Sequence, residues 1–474
     1  MRHARTVAAA TVLALLATSC DTAADADARS SAVARTPASQ SPTPSPSPTM
    51  NPAQRSAWLG AELRKALDEQ RFADIVDRGA GRTVTTVPNV DIAVIELDAA
   101  NRPVAAAQAL LSKAYPKAVS VPVDANLAAS SVRWRRWSSN QWRQGVAGGR
   151  DVATPPAGAK FDFVTPYPAS VFKLLVAFGI FRLIDKGTIR LDGNYAYRPR
   201  GGSCPVAAQS GTRTVRAWLD AMLTFSDNLS TCALLKQLHD HGAVTELNGT
   251  LRDLGLGTLQ VGGTSARDGG TWLREEITMT GLDTARLLLI VAGGTGTLWR
   301  TPKGTPVTAN VLSPTSRAAF LKILGDQGLN HALSTANWCG RGYPAPGIPQ
   351  KVPDRWIAAK NGTVTVHGRQ YMRDVRPCNA RAEVTFAHKT GLVDDAGADA
   401  GIVTSLPGAP QRRYIVAIFT NMGSRYGDAR PAPGCVGTCT VRGVFYSEKF
   451  ARLGARIDAL LTPATAAPGV PVTP

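Results

Sequence analysis

A serine and a lysine stand one helical turn apart in the segment "YPASVFKLL", residues 167–175. Residues i and i+3 of a helix lie on one face, so the Ser170 hydroxyl and the Lys173 amine could meet. A serine hydroxyl is a poor nucleophile until a base takes its proton, and a desolvated lysine near other positive charge can be neutral enough to do so. The alternative is a helix start, with Ser170 as the N-cap and Lys173 as a solvated charge. The pair by itself fits both interpretations.

A Ser-Asp-Asn tripeptide occupies residues 226–228, between two predicted helices. Ser226 could relay a proton to a leaving nitrogen, because a hydroxyl both accepts and donates. Asn228 has a donor and an acceptor with which it could hold a substrate amide. In isolation the tripeptide also fits a helix-capping turn, so it gains meaning only beside the other motifs.

A Lys-Thr-Gly tripeptide at residues 389–391 ends a predicted strand, just before a turn. Positive charge on Lys389 would lower the pKa of nearby groups and attract a substrate carboxylate. Thr390 could donate a hydrogen bond to that carboxylate. In isolation this tripeptide also fits an ordinary strand end.

The ordered set S-x-x-K, S-D-N and K-T-G resembles that of serine β-lactamases and penicillin-binding proteins, and most closely that of class A β-lactamases. Ser170 and Ser226 are 56 residues apart, close to the spacing in that family. The segment "TMTGLDTARLLL" and the strand pair "DAGIV" and "YIVAIFT" are similar to further family segments. The resemblance covers roughly residues 53–462.

The resemblance implies an acyl-transfer site in which Ser170 is acylated. Its oxyanion hole would consist of the backbone N–H groups of Ser170 and of the residue after K-T-G. We expect neither a metal nor a cofactor, since the histidines are scattered and the cysteines show no metal-ligand spacing. The residues implied are, for catalysis, Ser170, Lys173, Ser226 and Lys389, and, for substrate binding, Asn228, Thr390, Gly391 and Leu392.

One feature of class A enzymes is missing. They hydrolyse the acyl-enzyme with a glutamate in an E-x-x-L-N loop, about three dozen residues beyond the S-D-N serine. The corresponding segment here, "LQVGGTSARDGG" at 259–270, contains no glutamate, and "VTELN" at 244–248 has valine at that position on a predicted helix. Asp268, Glu275 and Glu276 are the candidate substitutes, unless they are solvated loop charges. A site without a positioned base for water would hydrolyse its acyl-enzyme slowly.

The N-terminus reads as an export signal. A basic start, "MRHAR", precedes the apolar run "TVAAATVLALLATSC", which is too short to span a membrane. The end of this run resembles a bacterial lipobox, which predicts cleavage before Cys20 and lipidation of that cysteine; ordinary signal cleavage is the alternative. Residues 21–52 are rich in Pro, Ser and Thr and are predicted to form a disordered tether. We therefore expect an exported protein, lipid-anchored on the outer face of the cell membrane.

Strand patterns lie at both ends of the remaining chain and helical patterns lie in the middle. The simplest packing is an α/β fold whose antiparallel sheet is built from both chain ends and flanked by helices. The block at about 170–300 would be an inserted all-helical subdomain, as in β-lactamases and transpeptidases. Ser226 and Lys389 are further apart than in the compact family plan, which predicts an insertion at about 300–383. Residues 463–474 would form a tail.

Six cysteines besides Cys20 are compatible with up to three disulfides, whose pairing the sequence leaves open; "CVGTC" at 435–439 could close a small loop. The formal charge of +18 fits either an anionic surface as partner or charge spread over solvated faces. Export and the absence of a binding motif argue against nucleic acid as a partner.

The segment "RWRRWSSNQWRQG" at 133–145 interleaves arginines with Trp134, Trp137 and Trp142. These tryptophans could stack on glycan rings or lie at a membrane interface. The alternative is that they cover a local core, with the arginine stems packed along it.

Three functions remain open. The leading hypothesis is a secreted class A-like serine hydrolase that is acylated by β-lactams and hydrolyses them, slowly. The second is a D-Ala-D-Ala peptidase or transpeptidase that acts on peptidoglycan peptides of the cell wall. The third is a non-catalytic penicillin-binding lipoprotein. The sequence gives no indication of the oligomeric state.

Overall fold

The computed structural model describes residues 50–84, 86–138, 149–339, 346–428 and 447–463. All of these belong to one unit, 45–474. The predictions for Cys20, for most of the Pro/Ser-rich tether, for Trp142, for "CVGTC" and for the C-terminal tail fall outside the described residues. None of the helices in the described ranges is long and apolar enough to cross a bilayer.

A six-stranded antiparallel sheet with the order β16-β17-β18-β3-β4-β5 joins the two ends of the chain. The central pair, β3 and β18, is buried on both faces, which explains why their sequences are mostly apolar and do not alternate. The predicted α/β fold with a sheet from both chain ends is therefore confirmed. The six strands are Val90–Leu97 (β3), Pro103–Ser112 (β4), Tyr115–Val121 (β5), Val384–Val393 (β16), Ala396–Ser405 (β17) and Arg413–Thr420 (β18).

Short strands form small two- or three-stranded sheets around this core. Three of the ribbons lie within or directly after the helical block, which is therefore not purely helical. The short strands are Ile75–Asp77 (β1), Arg82–Thr83 (β2), Val132–Arg135 (β6), Phe161–Val164 (β7), Asn194–Tyr197 (β8), Gly211–Thr214 (β9), Gln260–Val261 (β10), Ile277–Thr278 (β11), Trp299–Arg300 (β12), Pro306–Val307 (β13), Thr363–Val366 (β14), Arg369–Asp374 (β15) and Tyr426–Asp428 (β19).

Helices cover both faces of the large sheet. The first begins at Pro52 with Asn51 as its N-cap, and Asn51 and Gln54 also form a capping box. Gly281 opens the helix that packs beneath β3, and a side chain there would meet Asp91 and the backbone of Ala93. The helices are Pro52–Glu69 (α1), Lys173–Asp185 (α2), Val215–Thr224 (α3), Asn228–Asp240 (α4), Ala243–Asp253 (α5), Gly281–Ala292 (α6), Pro314–Gly325 (α7), Arg376–Asn379 (α8) and Ser447–Leu461 (α9), with 3-10 turns at Ala169–Phe172, Ala309–Val311, Ala336–Trp338 and Asp354–Trp356.

The region predicted as an insertion contains a small subdomain of its own. Its β14–β15 hairpin and short helix α8 enclose a separate apolar cluster. A disulfide between Cys339 and Cys378 staples this unit, and a second disulfide joins Cys204 to Cys232 of α4. The apolar cluster consists of Val352, Val364, Val366, Tyr371 and Val375, and Phe225 and Trp356 pack against it.

The Trp- and Arg-rich segment covers a local core in its described part. Trp137 is buried in the main core, and Trp134 packs edge-on against Phe163 at 5.7 Å between ring centroids. The arginines are held at its margin by carboxylates, for example Arg133 by Asp151 at 2.8 Å. Of the two predicted arrangements, the structure has the local core.

Candidate active site

Ser170 lies in the 3-10 turn Ala169–Phe172, which runs directly into α2. It is not the N-cap of that helix, because neither the turn nor α2 has a side-chain cap. Ala169, immediately before it, has φ of 45°, a conformation that costs a non-glycine residue about 1–3 kcal/mol and is common at functional sites. Ser170 is half-buried, so its hydroxyl stays within reach of a substrate.

Lys173 is fully buried and its amine faces the S-D-N segment. Its Nζ lies 2.7 Å from the Ser226 carbonyl oxygen, 2.8 Å from Asn228 Oδ1 and 3.0 Å from Ser226 Oγ. Burial, and then the charge of Lys389, hold the pKa of the Lys173 amine well below its usual value, against the opposing effect of Asp227. A neutral amine would donate its two N–H groups to the two carbonyl-type oxygens, leaving its lone pair for a hydroxyl proton.

Lys173 lies one helical turn after Ser170, but the two side chains are not hydrogen-bonded to each other. Across the described ranges, the hydrogen bonds of Lys173 Nζ do not include Ser170 Oγ. Proton transfer between the two requires a small adjustment of either side chain, as is usual for a site without substrate.

Ser226 is the meeting point of the two lysines. Its Oγ lies 3.0 Å from Lys173 Nζ and 3.1 Å from Lys389 Nζ. Ser226 also has φ of 65°, so the hydroxyl is held between the lysines by a strained backbone. Burial lowers the pKa of the Lys389 amine to about 7, while the charge of Asp399 acts in the opposite direction. This arrangement can pass a proton through the Ser226 hydroxyl.

The K-T-G segment lies inside β16, which continues to Val393, and not at the end of the strand as predicted. Its glycine allows a close approach, because a side chain at Gly391 would lie 2.7 Å from the Pro168 carbonyl oxygen and 2.9 Å from the Ser170 nitrogen. β16 is an edge strand of the large sheet, and its outer edge is bonded by Lys351 N at Val384 and by Gln327 at His388, before the K-T-G residues begin. Thr390 is buried and the Leu392 side chain is exposed.

Asn228 is the first residue of α4, whose N-cap Asp227 accepts a hydrogen bond from Ser230 N at 2.8 Å. The acceptor of Asn228 is engaged by Lys173. The lysine thereby sets the orientation of the amide, whose NH₂ group can donate to a substrate.

A buried polar chain behind Lys389 has no signal in the sequence. His388 Nδ1 lies 2.7 Å from Asp399 Oδ1, and His388 Nε2 lies 2.8 Å from Asn330 Oδ1. The orientation of Asn330 follows from Asn337, which accepts its NH₂ and donates to the Gly328 carbonyl oxygen. Both ring nitrogens of His388 thus face oxygens, so the histidine joins the strand behind Lys389 to Asp399 of β17 and to Asn330.

An aromatic ring borders Lys173 on the side of the 259–276 loop. No sequence pattern singled this ring out. The ring of Trp272 lies 6.0 Å from Lys173 Nζ and packs edge-on against Phe172 at 5.3 Å between ring centroids. Its indole N–H donates to the Gly269 carbonyl oxygen at 2.8 Å. The loop thus presents a hydrophobic side chain to the lysine.

None of the three candidate bases for deacylation, Asp268, Glu275 and Glu276, is hydrogen-bonded to Ser170 or Lys173 in the described residues. Burial would raise the pKa of the Asp268 carboxyl, but hydrogen bonds from Ser203, Ser265 and Gly270 together lower it to about 2. That carboxylate ties the loop to Ser203, to whose N and Oγ it is bound at 2.6 Å. Glu276 pairs with Arg150 and Arg136, and Glu275 is exposed.

The sequence model described as "Beta-lactamase enzyme family" matches residues 162–438, more than half of the chain. None of the curated proteins matches this chain. Similar solved structures include PBP-A as an acyl-enzyme complex with penicillin G, with 15% identity over 85% of this chain and 96% of that chain and a TM-score of 0.44. A beta-lactamase from Chitinophaga pinensis DSM 2588 gives 14% identity over 85% and 98% and a TM-score of 0.43. One from Sphaerobacter thermophilus DSM 20745 gives 13% identity over 84% and 97% and a TM-score of 0.42.

Proposed function

Because the chain belongs to the beta-lactamase enzyme family, we propose that it is a serine hydrolase that is acylated on Ser170 by β-lactams and hydrolyses the acyl-enzyme slowly. One observation carries the proposal: the Ser226 hydroxyl lies between Lys173 and Lys389, at 3.0 and 3.1 Å. Two buried amines around one hydroxyl form a proton relay, for which a purely binding protein has no need.

Acylation begins when the Ser170 hydroxyl attacks the lactam carbonyl carbon and gives its proton to neutral Lys173. The carbonyl oxygen becomes an oxyanion, which accepts hydrogen bonds from the backbone N–H groups of Ser170 and Leu392. Lys389 and Thr390 receive the substrate carboxylate, and the NH₂ group of Asn228 holds the substrate amide. These roles remain those that the motif resemblance implies.

Collapse of the tetrahedral intermediate breaks the bond between the carbonyl carbon and the lactam nitrogen. Ser226 gives its proton to that nitrogen and regains one from Lys173, which returns to the neutral state. The product is an ester on Ser170. Water must then attack the ester with the help of a base, and the ring of Trp272 beside Lys173 favours slow completion of this step.

Mass spectrometry of the intact protein after incubation with benzylpenicillin tests the proposal. We expect one adduct of the mass of the drug, located by peptide mapping on Ser170 and lost in Ser170→Ala. An adduct formed in unchanged yield by Ser170→Ala would show that a different residue is acylated.

Because the Trp272 ring beside Lys173 disfavours attack by water, a second candidate is a D-Ala-D-Ala peptidase or transpeptidase whose acyl-enzyme passes to an amine acceptor. Incubation with a D-Ala-D-Ala peptide separates the two, because only this candidate predicts release of D-alanine. Without reaction towards either substrate class, the chain would be a non-catalytic binding lipoprotein.

We further propose that Cys20 carries the lipid that anchors the exported protein to the outer face of the membrane. Support comes from the lipobox-like end of the apolar segment and from the Pro/Ser-rich residues that follow it. In cell fractionation, the wild type should remain with membranes and Cys20→Ala should be released. Equal release of both proteins would exclude lipidation at this cysteine.

A further inference from the structure

Gln327 connects two of the three motif-bearing segments. It follows α7, and its side chain is only 1% exposed. Its Nε2 donates to the Leu223 carbonyl oxygen at 3.0 Å and to the His388 carbonyl oxygen at 3.1 Å. Its Oε1 accepts from Leu329 N at 2.9 Å, which fixes the orientation of the amide. Both donor hydrogens of one buried side chain are thus used on two separate segments.

Those two carbonyl groups lie close to the proton relay in sequence. Leu223 lies three residues before Ser226, and His388 directly precedes Lys389. The next residue, Gly328, donates its N–H to the Thr224 carbonyl oxygen at 2.8 Å. The segment 327–328 therefore clamps the end of α3, directly before the S-D-N loop, to the K-T-G strand. It does so across the gap that the Ser226 and Lys389 side chains span at 3.1 Å.

Two hydrogen bonds connect the disulfide-stapled subdomain to residues 326 and 328 of this clamp. Trp356 Nε1 donates to the Asp326 carbonyl oxygen at 2.8 Å, and Asn337 Nδ2 donates to the Gly328 carbonyl oxygen at 2.7 Å. The packing is close, since a side chain at Gly328 would lie 2.8 Å from Val366 and 3.0 Å from Trp356. The subdomain thus packs directly against residues 326–328.

We propose that Gln327 is a positioning residue for acylation, which holds Ser226 at proton-transfer distance from Lys389, and that the disulfide-stapled subdomain exists to keep this clamp in place. The inference rests on the proposed function. It differs from a general stabilising role, because it requires the effect of Gln327 to pass through Ser226. A shift of about 1 Å in such a relay can cost about 100-fold in rate.

The test compares two variants that each lose a side-chain amide bridging backbone groups. Gln327→Met keeps the length of the side chain but has no donor. The matched control is Asn248→Leu, since Asn248 binds the N and O of Val261 at 2.9 and 2.8 Å and touches neither motif segment. Stopped-flow measurements with benzylpenicillin give the acylation rate constant and the affinity of the non-covalent complex. Melting temperatures show that each variant is folded.

We expect Gln327→Met to lower the acylation rate constant by about 10- to 100-fold with little change in non-covalent affinity. Asn248→Leu should leave both unchanged. A milder variant, Trp356→Phe, removes the bond to Asp326 and part of the packing on Gly328. It should give an intermediate loss, which keeps the test available if Gln327→Met does not fold. Equal losses in Gln327→Met and Asn248→Leu would overturn the proposal.

A double-mutant cycle separates positioning from general stability. In a Ser226→Ala background the relay is already broken, so adding Gln327→Met should lower acylation little further. Additive losses would overturn the proposal while leaving the proposed function intact. If wild-type protein forms no adduct at all, the proposed function fails, and the positioning role fails with it.

Discussion

Replacing Lys173 by alanine is expected to lower the rate of acylation by benzylpenicillin about 10²- to 10⁴-fold, the usual contribution of a general base. The reason is the state in which the structure holds this amine. It is buried, it lies next to a second lysine, and its pKa is held well below the usual value by burial and by the charge of Lys389. At neutral pH a depressed pKa makes the neutral, proton-accepting form available.

The pH dependence has a definite sign. Only neutral Lys173 accepts the Ser170 proton, so the acylation rate of the wild type should rise with pH through the lowered pKa of this lysine. Lys173→Arg should not restore the rate, because an arginine stays protonated. The matched control is Lys186→Ala, at the end of the same helix, where the lysine pairs with Glu246 on the surface. Unchanged acylation in Lys173→Ala, measured by stopped-flow or mass spectrometry, would remove Lys173 from the mechanism.

Local patterns predicted the parts of this molecule that depend on neighbours in sequence. Asn51 is a helix cap directly before Pro52, and a short turn joins β3 to β4; both follow from short-range rules, and the structure has both. The sequence left open whether Lys173 is a base or a solvated charge, and the structure buries it within a helix that is buried almost all round. The overall sheet followed from strand patterns at both ends of the chain.

Contacts over long sequence separations were beyond such rules. Lys173 was expected to meet Ser170, three residues away, but its hydrogen bonds go to Ser226 and Asn228, which are 53 and 55 residues away. Neither the bonds of Gln327 to the two motif segments nor the approach of Trp272 to Lys173 leaves a periodic signal, because each depends on the path of a loop. The strained φ of Ser226 is likewise imposed by its surroundings and not by its residue type.

The tethered position of Asp268 bears directly on how an ester on Ser170 would be hydrolysed. A general base for water must be free to accept a proton near neutral pH. Hydrogen bonds lower the pKa of the Asp268 carboxyl to about 2, and its oxygens are bound to Ser203 and Gly270. Its main effect is to fix the loop that carries Trp272. The Glu276 carboxylate is likewise engaged, by Arg136 and Arg150.

We therefore expect hydrolysis of the acyl-enzyme to be slower than its formation by orders of magnitude, since loss of a positioned base costs about 10²- to 10⁴-fold. With nitrocefin, absorbance should show a burst of about one equivalent of enzyme followed by a slow steady rate, the mark of an accumulating acyl-enzyme. After removal of excess benzylpenicillin, the mass adduct on Ser170 should persist for minutes or longer. The structural reasons for both results are the ring of Trp272 beside Lys173 and the engagement of Asp268 and Glu276 by other groups.

Fast, burst-free turnover would contradict this expectation and would mean that a carboxylate does activate water. Asp268→Asn, Glu275→Gln and Glu276→Gln would then identify it, because the variant that lacks the base should lose about two or more orders of magnitude in turnover while still forming the adduct. Asp268→Asn needs a control for loop structure, since it also weakens the bonds to Ser203. Ser203→Ala provides one, because it removes the hydroxyl partner of Asp268 and leaves the carboxylate in place. If Asp268 were the base, Asp268→Asn alone would accumulate the adduct; if it only ties the loop, both variants should behave alike.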